Sequence, residues 1–159
     1  MSSNQLSILS FLELQLNGTL KPGDTTHMNY PTPISQLLGF HLVAINEGTA
    51  TLEMYADASI HGNQQGTVHG GLITELADAT VGTAHSTLMG PGETFTSIDI
   101  KASFLRPVWK STLTSHAYAI HQGKTISHYC CEIKRDDGKI VAIVQSTVMT
   151  LKGDKASGR

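Results

Sequence analysis

The sequence predicts an α+β fold: one antiparallel sheet of five to six strands wrapped around a long central helix. Three observations predict it. A single helical, strongly apolar stretch lies mid-chain, at about residues 69–88. Two strand-like runs precede it and four follow, each bounded by turn residues. No repeat, low-complexity tract or second composition regime interrupts the 159 residues, a length suited to one domain.

The elements follow in chain order. Residues of about 3–17 place Leu6, Leu9, Leu12 and Leu16 at helical spacing, and Gly18 with Pro22–Gly23 ends the run. "YPTPISQLLGF" reads as a proline-rich loop and one helical turn. "HLVAINEGTATLEMYADAS" reads as two strands joined by a tight turn at Asn46–Glu47–Gly48. "IHGNQQGT" is a polar loop leading into the central helix, which closes at Gly90–Pro91–Gly92. Four strands follow, at about 94–105, 110–121, 125–135 and 139–150. The expected organisation is an N-terminal helix and loop (1–36), a main domain (37–151) and a flexible tail (152–159).

Composition narrows the function. The formal net charge is −2, so a globally basic surface for nucleic acid is not indicated. No apolar run reaches the roughly 20 residues that span a bilayer, and the N-terminus makes a poor signal peptide because it lacks a basic start and carries Glu13. No membrane association and a cytoplasmic location are therefore expected. Cys130 and Cys131 are adjacent and would point to opposite faces of a strand, so no disulfide scaffold is expected.

The central helix raises two questions. Its first turn carries Gly70 and Gly71, although glycine costs about 1 kcal/mol in a helix. The first amides of a helix lack intrahelical partners and carry partial positive charge. Bare of side chains, they suit an acyl carbonyl oxygen; close packing against a strand is the alternative. Asp78 lies among Leu72, Ile73, Leu76, Ala77, Ala79 and Val81. An unpaired carboxylate there is costly, so it is either hydrogen-bonded or part of a site. His69 and Asp78 are nine residues apart, which is about 180° around a helix and about 13 Å along it. They cannot serve one small reacting centre within a chain. Two such helices across a two-fold axis can bring them together, so the site requires a homodimer. Asn63, on the loop feeding the helix, could hold a water or a carbonyl. In "FTSIDIKASFLRP", simple alternation puts Ser97, Asp99, Lys101 and Ser103 on one face and Ile98, Ile100, Ala102 and Phe104 on the other.

The ordered residues "N-x-x-G-T-V-H-G-G-x-x-x-x-x-x-D", Asn63 to Asp78, resemble the signature of hotdog-fold acyl-CoA thioesterases of the PaaI-like branch. "S-I-D-I-K-A-S-F-L-R-P" and "Q-G-K-T-I-S" are similar to that family's later strands, and the resemblance spans about 37–151. It implies the hotdog fold, dimers joined sheet edge to sheet edge, and pairing of dimers into tetramers. It implies hydrolysis of acyl-CoA without a metal or separate cofactor, coenzyme A being part of the substrate. Carried over, Asp78 is general base or nucleophile, and Gly70 polarises the carbonyl. Asn63 positions water or carbonyl, His69 orients substrate or leaving thiolate, and Ser97 supports the water from the opposite subunit's strand. Gly71, Arg106, Lys124 and Thr125 are the expected contacts to the CoA moiety. A thiolate is a good leaving group, so one carboxylate and an oxyanion site suffice.

Other signals point elsewhere or nowhere. The eight histidines show no tight metal-ligand spacing. Glu75, one turn before Asp78, is a backup acid or an interface residue. Leu72, Leu76, Phe95 and the N-terminal helix are expected to form the acyl pocket's floor. Two competing functions use the same scaffold: a non-catalytic acyl-CoA-binding protein, and a dehydratase acting on hydroxyacyl thioesters.

Overall fold

The structure, a computed structural model, describes residues 4–157. Residues 1–3, at the start of the expected N-terminal region, and 158–159, at the end of the expected tail, lie outside them. The short strand β1 (Asn4–Gln5) precedes helix α1 (Ile8–Leu16), which Ser7 caps by accepting from the Ser10 amide. β2 (Asp24–Thr25) returns to pair in parallel with β1, a two-residue pairing that the sequence pattern does not announce. Helix α2 (Pro33–Leu38) has Thr32 as its N-cap and proline in its first turn, where the missing N–H costs nothing.

The main sheet is built from β3 (His41–Asn46), β4 (Thr49–Asp57), β5 (Glu93–Phe104), β6 (Lys110–Gln122), β7 (Ile126–Arg135) and β8 (Ile140–Lys152). Its order is β3-β4-β6-β7-β8-β5, antiparallel throughout. One-turn helix α3 (Ala58–His61) straddles the end of the stretch expected to be strand and the start of the expected loop, and helix α4 (Gly70–Ser86) is the central helix. Gly153–Ala156, inside the expected tail, form a 3₁₀ turn against β5 and β8.

Helix α4 packs on the sheet because its apolar residues recur at the spacing of one helical face. Ile73, Leu76, Ala77, Thr80, Val81 and Ala84 are buried, and they meet a sheet face that includes Leu52, Met54, Leu113 and Val144. Burying a side chain such as Leu76 contributes about 1.5–3 kcal/mol. Thr80, the polar member of the stripe, donates to the Leu76 carbonyl and shares a second hydrogen bond with the Ser115 hydroxyl, so its burial leaves nothing unsatisfied. The opposite face is not covered by the sheet: Leu72, Thr74, Glu75, Asp78 and Ala79 are only half-buried in the single chain. This helix cradled by a curved antiparallel sheet is the hotdog arrangement.

Strand β5 departs from simple alternation where it faces the middle of α4. Ser97 pairs with Val148 and Asp99 with Thr147, so two residues of β5 oppose one of β8 at that point. The resulting β-bulge inserts Ile98 and switches faces. Ser97 therefore shares the helix-facing side with Ala102 and Phe104, while Asp99 and Lys101 face outward. The expectation that Ser97, Asp99, Lys101 and Ser103 share a face is corrected by one residue's slip.

Candidate active site

The bulge aims Ser97 at the middle of α4, where its hydroxyl donates to Asp78 Oδ1 at 3.1 Å. Ser97 and Asp78 thus meet within one chain, whereas the resemblance has Ser97 act from the opposite subunit's strand. Both line a cavity of about 270 Å³. Much of its wall is apolar: Leu12 from α1, Ile34 from α2, and Phe40, Leu42, Leu52 and Phe95, with Tyr30 from the loop before α2. Phe95 and Leu12 of the N-terminal helix line it, but Leu72 does not, and Leu76 is fully buried beneath the helix. Tyr30 is held in place by donating to Ser86 Oγ at 2.6 Å, and burial pushes its phenol up. Glu75 also lines the cavity; burial first, and the nearby Asp78 charge second, push its carboxyl up.

The other candidates gather at the start of α4. His69 is the N-cap, and its Nδ1 accepts from the Gly71 N–H at 2.9 Å. That amide is therefore satisfied by its own chain, so the expected contact of Gly71 with CoA cannot run through its N–H while the cap holds. The Gly70 N–H has no acceptor among the described residues. The absent side chain of Gly70 also has a packing role: a Cβ there would stand 2.8 Å from the Phe104 ring. Both readings of this glycine hold together, a free amide and a close approach by β5.

Asn63 is largely engaged locally. Its Oδ1 accepts from the Gln65 and Thr67 amides, and its Nδ2 donates to Thr67 Oγ1, which leaves one amide hydrogen uncommitted. Asn63, Gly70, Phe104 and Arg106 line a second cavity, separate from that of Asp78. Exposed Arg106 donates to the Ile140 carbonyl at 2.6 Å and has no carboxylate partner among the described residues. Lys124 and Thr125 are exposed at the β6–β7 turn. The preceding Gln122 and Leu88 both lie against Gly48, which places this turn beyond the C-terminal end of α4, away from Arg106.

One chain therefore carries two separate clusters of candidate residues, Asp78–Ser97–Glu75 and Asn63–His69–Gly70–Arg106. Eight residues of helix, about 12 Å, separate Gly70 from Asp78 along the axis. Two features lay beyond the sequence pattern. The bulge is one, since "TSIDI" contains no glycine or proline to mark it, and the part of the cavity wall built by Tyr30 and Ile34 is the other. Among the described residues no three His, Cys, Asp or Glu side chains cluster as a metal site, and no helix is long and apolar enough to cross a membrane.

Comparisons with known proteins agree with this architecture. The thioesterase superfamily profile matches residues 65–142. The structure of the E. coli PaaI protein, from the phenylacetic acid degradation operon, superposes with a TM-score of 0.70 at 29% identity, covering 77% of this chain and 87% of that one. A thioesterase from Haemophilus influenzae superposes with a TM-score of 0.71 at 25% identity, covering 77% and 85%. In sequence, the 1,4-dihydroxy-2-naphthoyl-CoA hydrolase of Listeria monocytogenes is 27% identical over 124 residues, 77% of this chain and 98% of that protein.

Proposed function

We propose that this chain, which belongs to the thioesterase superfamily in its PaaI-like branch and is a thioester hydrolase, hydrolyses acyl-CoA to a carboxylic acid and CoA in a homodimer whose protomers share each site. The observation that carries this reading is the division of the candidate residues into two half-sites that one helix keeps apart. An antiparallel pairing of two α4 helices sets Gly70 of one protomer beside Asp78 of the other and makes two equivalent centres.

In such a centre the acyl group lies in the apolar cavity beside Asp78. The Gly70 N–H, at the positive end of its helix, donates to the thioester oxygen and stabilises the charge that develops there. The uncommitted hydrogen of Asn63 Nδ2 adds a second donor. Asp78, oriented by Ser97, takes a proton from water as the water oxygen bonds to the carbonyl carbon; in the nucleophilic variant its own oxygen forms that bond and water then cleaves the mixed anhydride. The C–S bond breaks, the electron pair leaves on sulfur, and the proton passes to the CoA thiolate. His69 keeps Nδ1 on the Gly71 amide, so Nε2 is the atom left for the leaving group.

The rest of CoA leaves the cavity past Arg106, whose unpaired guanidinium suits a phosphate. The same antiparallel pairing carries the C-terminal end of the partner helix towards the residues before Gly70. Lys124 and Thr125 then approach the CoA from the protomer that supplies Asp78.

A thiol-release assay with a panel of aryl- and fatty-acyl-CoA thioesters tests the reading. Turnover of at least one member is expected, with Asp78→Ala losing about 10²–10⁴-fold in kcat. A folded, dimeric protein that cleaves no member would refute it, and so would an Asp78→Ala variant of undiminished activity.

A further inference from the structure

Among the described residues, the half-buried carboxylates are paired, with one exception. Asp24 pairs with Asn4, Glu53 with Thr114, Asp57 with Ser59 and Lys110, Asp78 with Ser97, Glu93 with Lys152, and Glu132 with Lys134. Glu75 has neither a hydrogen-bond nor an ion-pair partner among the described residues, yet it lines the cavity beside Asp78. Three residues apart on α4, the two carboxyls occupy adjacent positions on one helix face, with Cβ atoms about 5–6 Å apart. The residues lining that cavity include no Lys, Arg or His. Its walls are otherwise apolar or neutral, so its two charges have one sign.

We propose that Glu75 is a specificity-determining residue: with Asp78, it restricts the acyl cavity to neutral, apolar acyl groups and rejects acyl groups that carry a carboxylate. The proposal rests on the reading of this cavity as the acyl site. A third negative charge entering it would lose its hydration, find no cation, and meet two carboxylates at short range. A neutral chain or ring loses no such hydration and gains contact with Leu12, Phe40 and Phe95. The size limit follows from the same space: a dry cavity of about 150 Å³ accepts a benzene ring, so about 270 Å³ accommodates a bicyclic ring or a medium-length chain. The wall formed by α1 and the Tyr30 loop lies outside the span 65–142, so the size limit is set in part by residues beyond those that match the superfamily profile.

The test compares hexanoyl-CoA with adipoyl-CoA, its six-carbon counterpart ending in a carboxylate, at pH 8. The wild type is expected to favour hexanoyl-CoA in kcat/KM by about 100-fold or more. Glu75→Gln, which keeps the shape and removes the charge, is expected to raise the adipoyl-to-hexanoyl ratio by about tenfold or more. Glu75→Asp, which keeps the charge, should retain strong discrimination. The ratio is unaffected by the fraction of enzyme that folds, so loss of protein does not mask the answer. Equal cleavage of both substrates by the wild type, or an unchanged ratio in Glu75→Gln, would overturn the proposal. An unchanged ratio with weakened dimerisation would assign Glu75 to the interface instead. Cleavage of no acyl-CoA in the wider panel would defeat the function itself rather than this refinement.

Discussion

The two edges of the sheet differ in a way that bears on the site. Edge strand β3 has six residues, carries a register shift between Leu42 and Ala44, and packs against α1. Edge strand β5 has twelve residues, runs in regular register after its bulge, and exposes Ile98, Ile100 and Phe104 at 51%, 38% and 53%. Short, irregular edges resist pairing with other chains, whereas long apolar ones invite it. β5 is also the strand that carries Ser97 and places Phe104 over Gly70. The long apolar edge is thus the one that reaches both clusters of candidate residues, and the short edge carries none of the five proposed catalytic residues.

Breaking this contrast should give the largest effect. Ile98→Lys combined with Ile100→Lys is expected to convert dimers to monomers in sedimentation velocity and to lower turnover by about 100-fold or more, although neither side chain is assigned a chemical role. Val43→Lys, on the β3 edge, should leave both measurements near wild type. Equal behaviour of the two variants would remove the distinction between the edges.

A smaller effect is expected inside the half-site. Ser97→Ala removes a hydrogen bond to a carboxylate, an interaction worth about 1.5–3 kcal/mol, so kcat should fall about 10–100-fold while the dimer persists. An unchanged kcat would show that the bulge does not serve the chemistry.

The smallest effect at neutral pH belongs to His85, at the far end of α4. Its Nδ1 meets Tyr129 Oη at 3.1 Å and its Nε2 meets Thr150 Oγ1 at 3.0 Å, and burial pushes its pKa down to about 4 from 6.5. Between those values the unfolded chain binds more protons than the folded one. The stability contributed by neutral His85 is therefore complete above about pH 6.5 and is lost as pH falls towards about 4. Thermal melts from pH 7 to pH 4 should show a fall in Tm that is shallower in His85→Gln; parallel curves would contradict the assignment.

Much of this was legible in the sequence for physical reasons. Helical spacing from Ile73 to Ala84 defines the face that packs on the sheet, and alternation in β4, β6 and β7 sets their inner faces. The nine-residue gap between His69 and Asp78 was enough to argue for two chains, because helix geometry is rigid. Ser97 was grouped with Asp99, Lys101 and Ser103, from which a bulge separates it: a bulge shifts register without changing composition. Phe104 against Gly70 was hidden because a glycine that admits a ligand and one that admits a ring look alike. The orphan state of Glu75 depends on which residues surround it in space, and the Tyr30–Ser86 contact joins residues 56 positions apart.

The most direct test of shared sites is subunit complementation. Asp78→Ala and Asn63→Ala homodimers should each be severely impaired. Mixed and re-associated, half of the dimers are expected to be heterodimers, and each heterodimer restores one intact centre, Asp78 from one chain facing Asn63 from the other. Turnover should therefore return to about a quarter of the wild-type value. Activity that stays at the level of the parent variants, with heterodimers demonstrated by mass, would mean that each chain carries its own complete site.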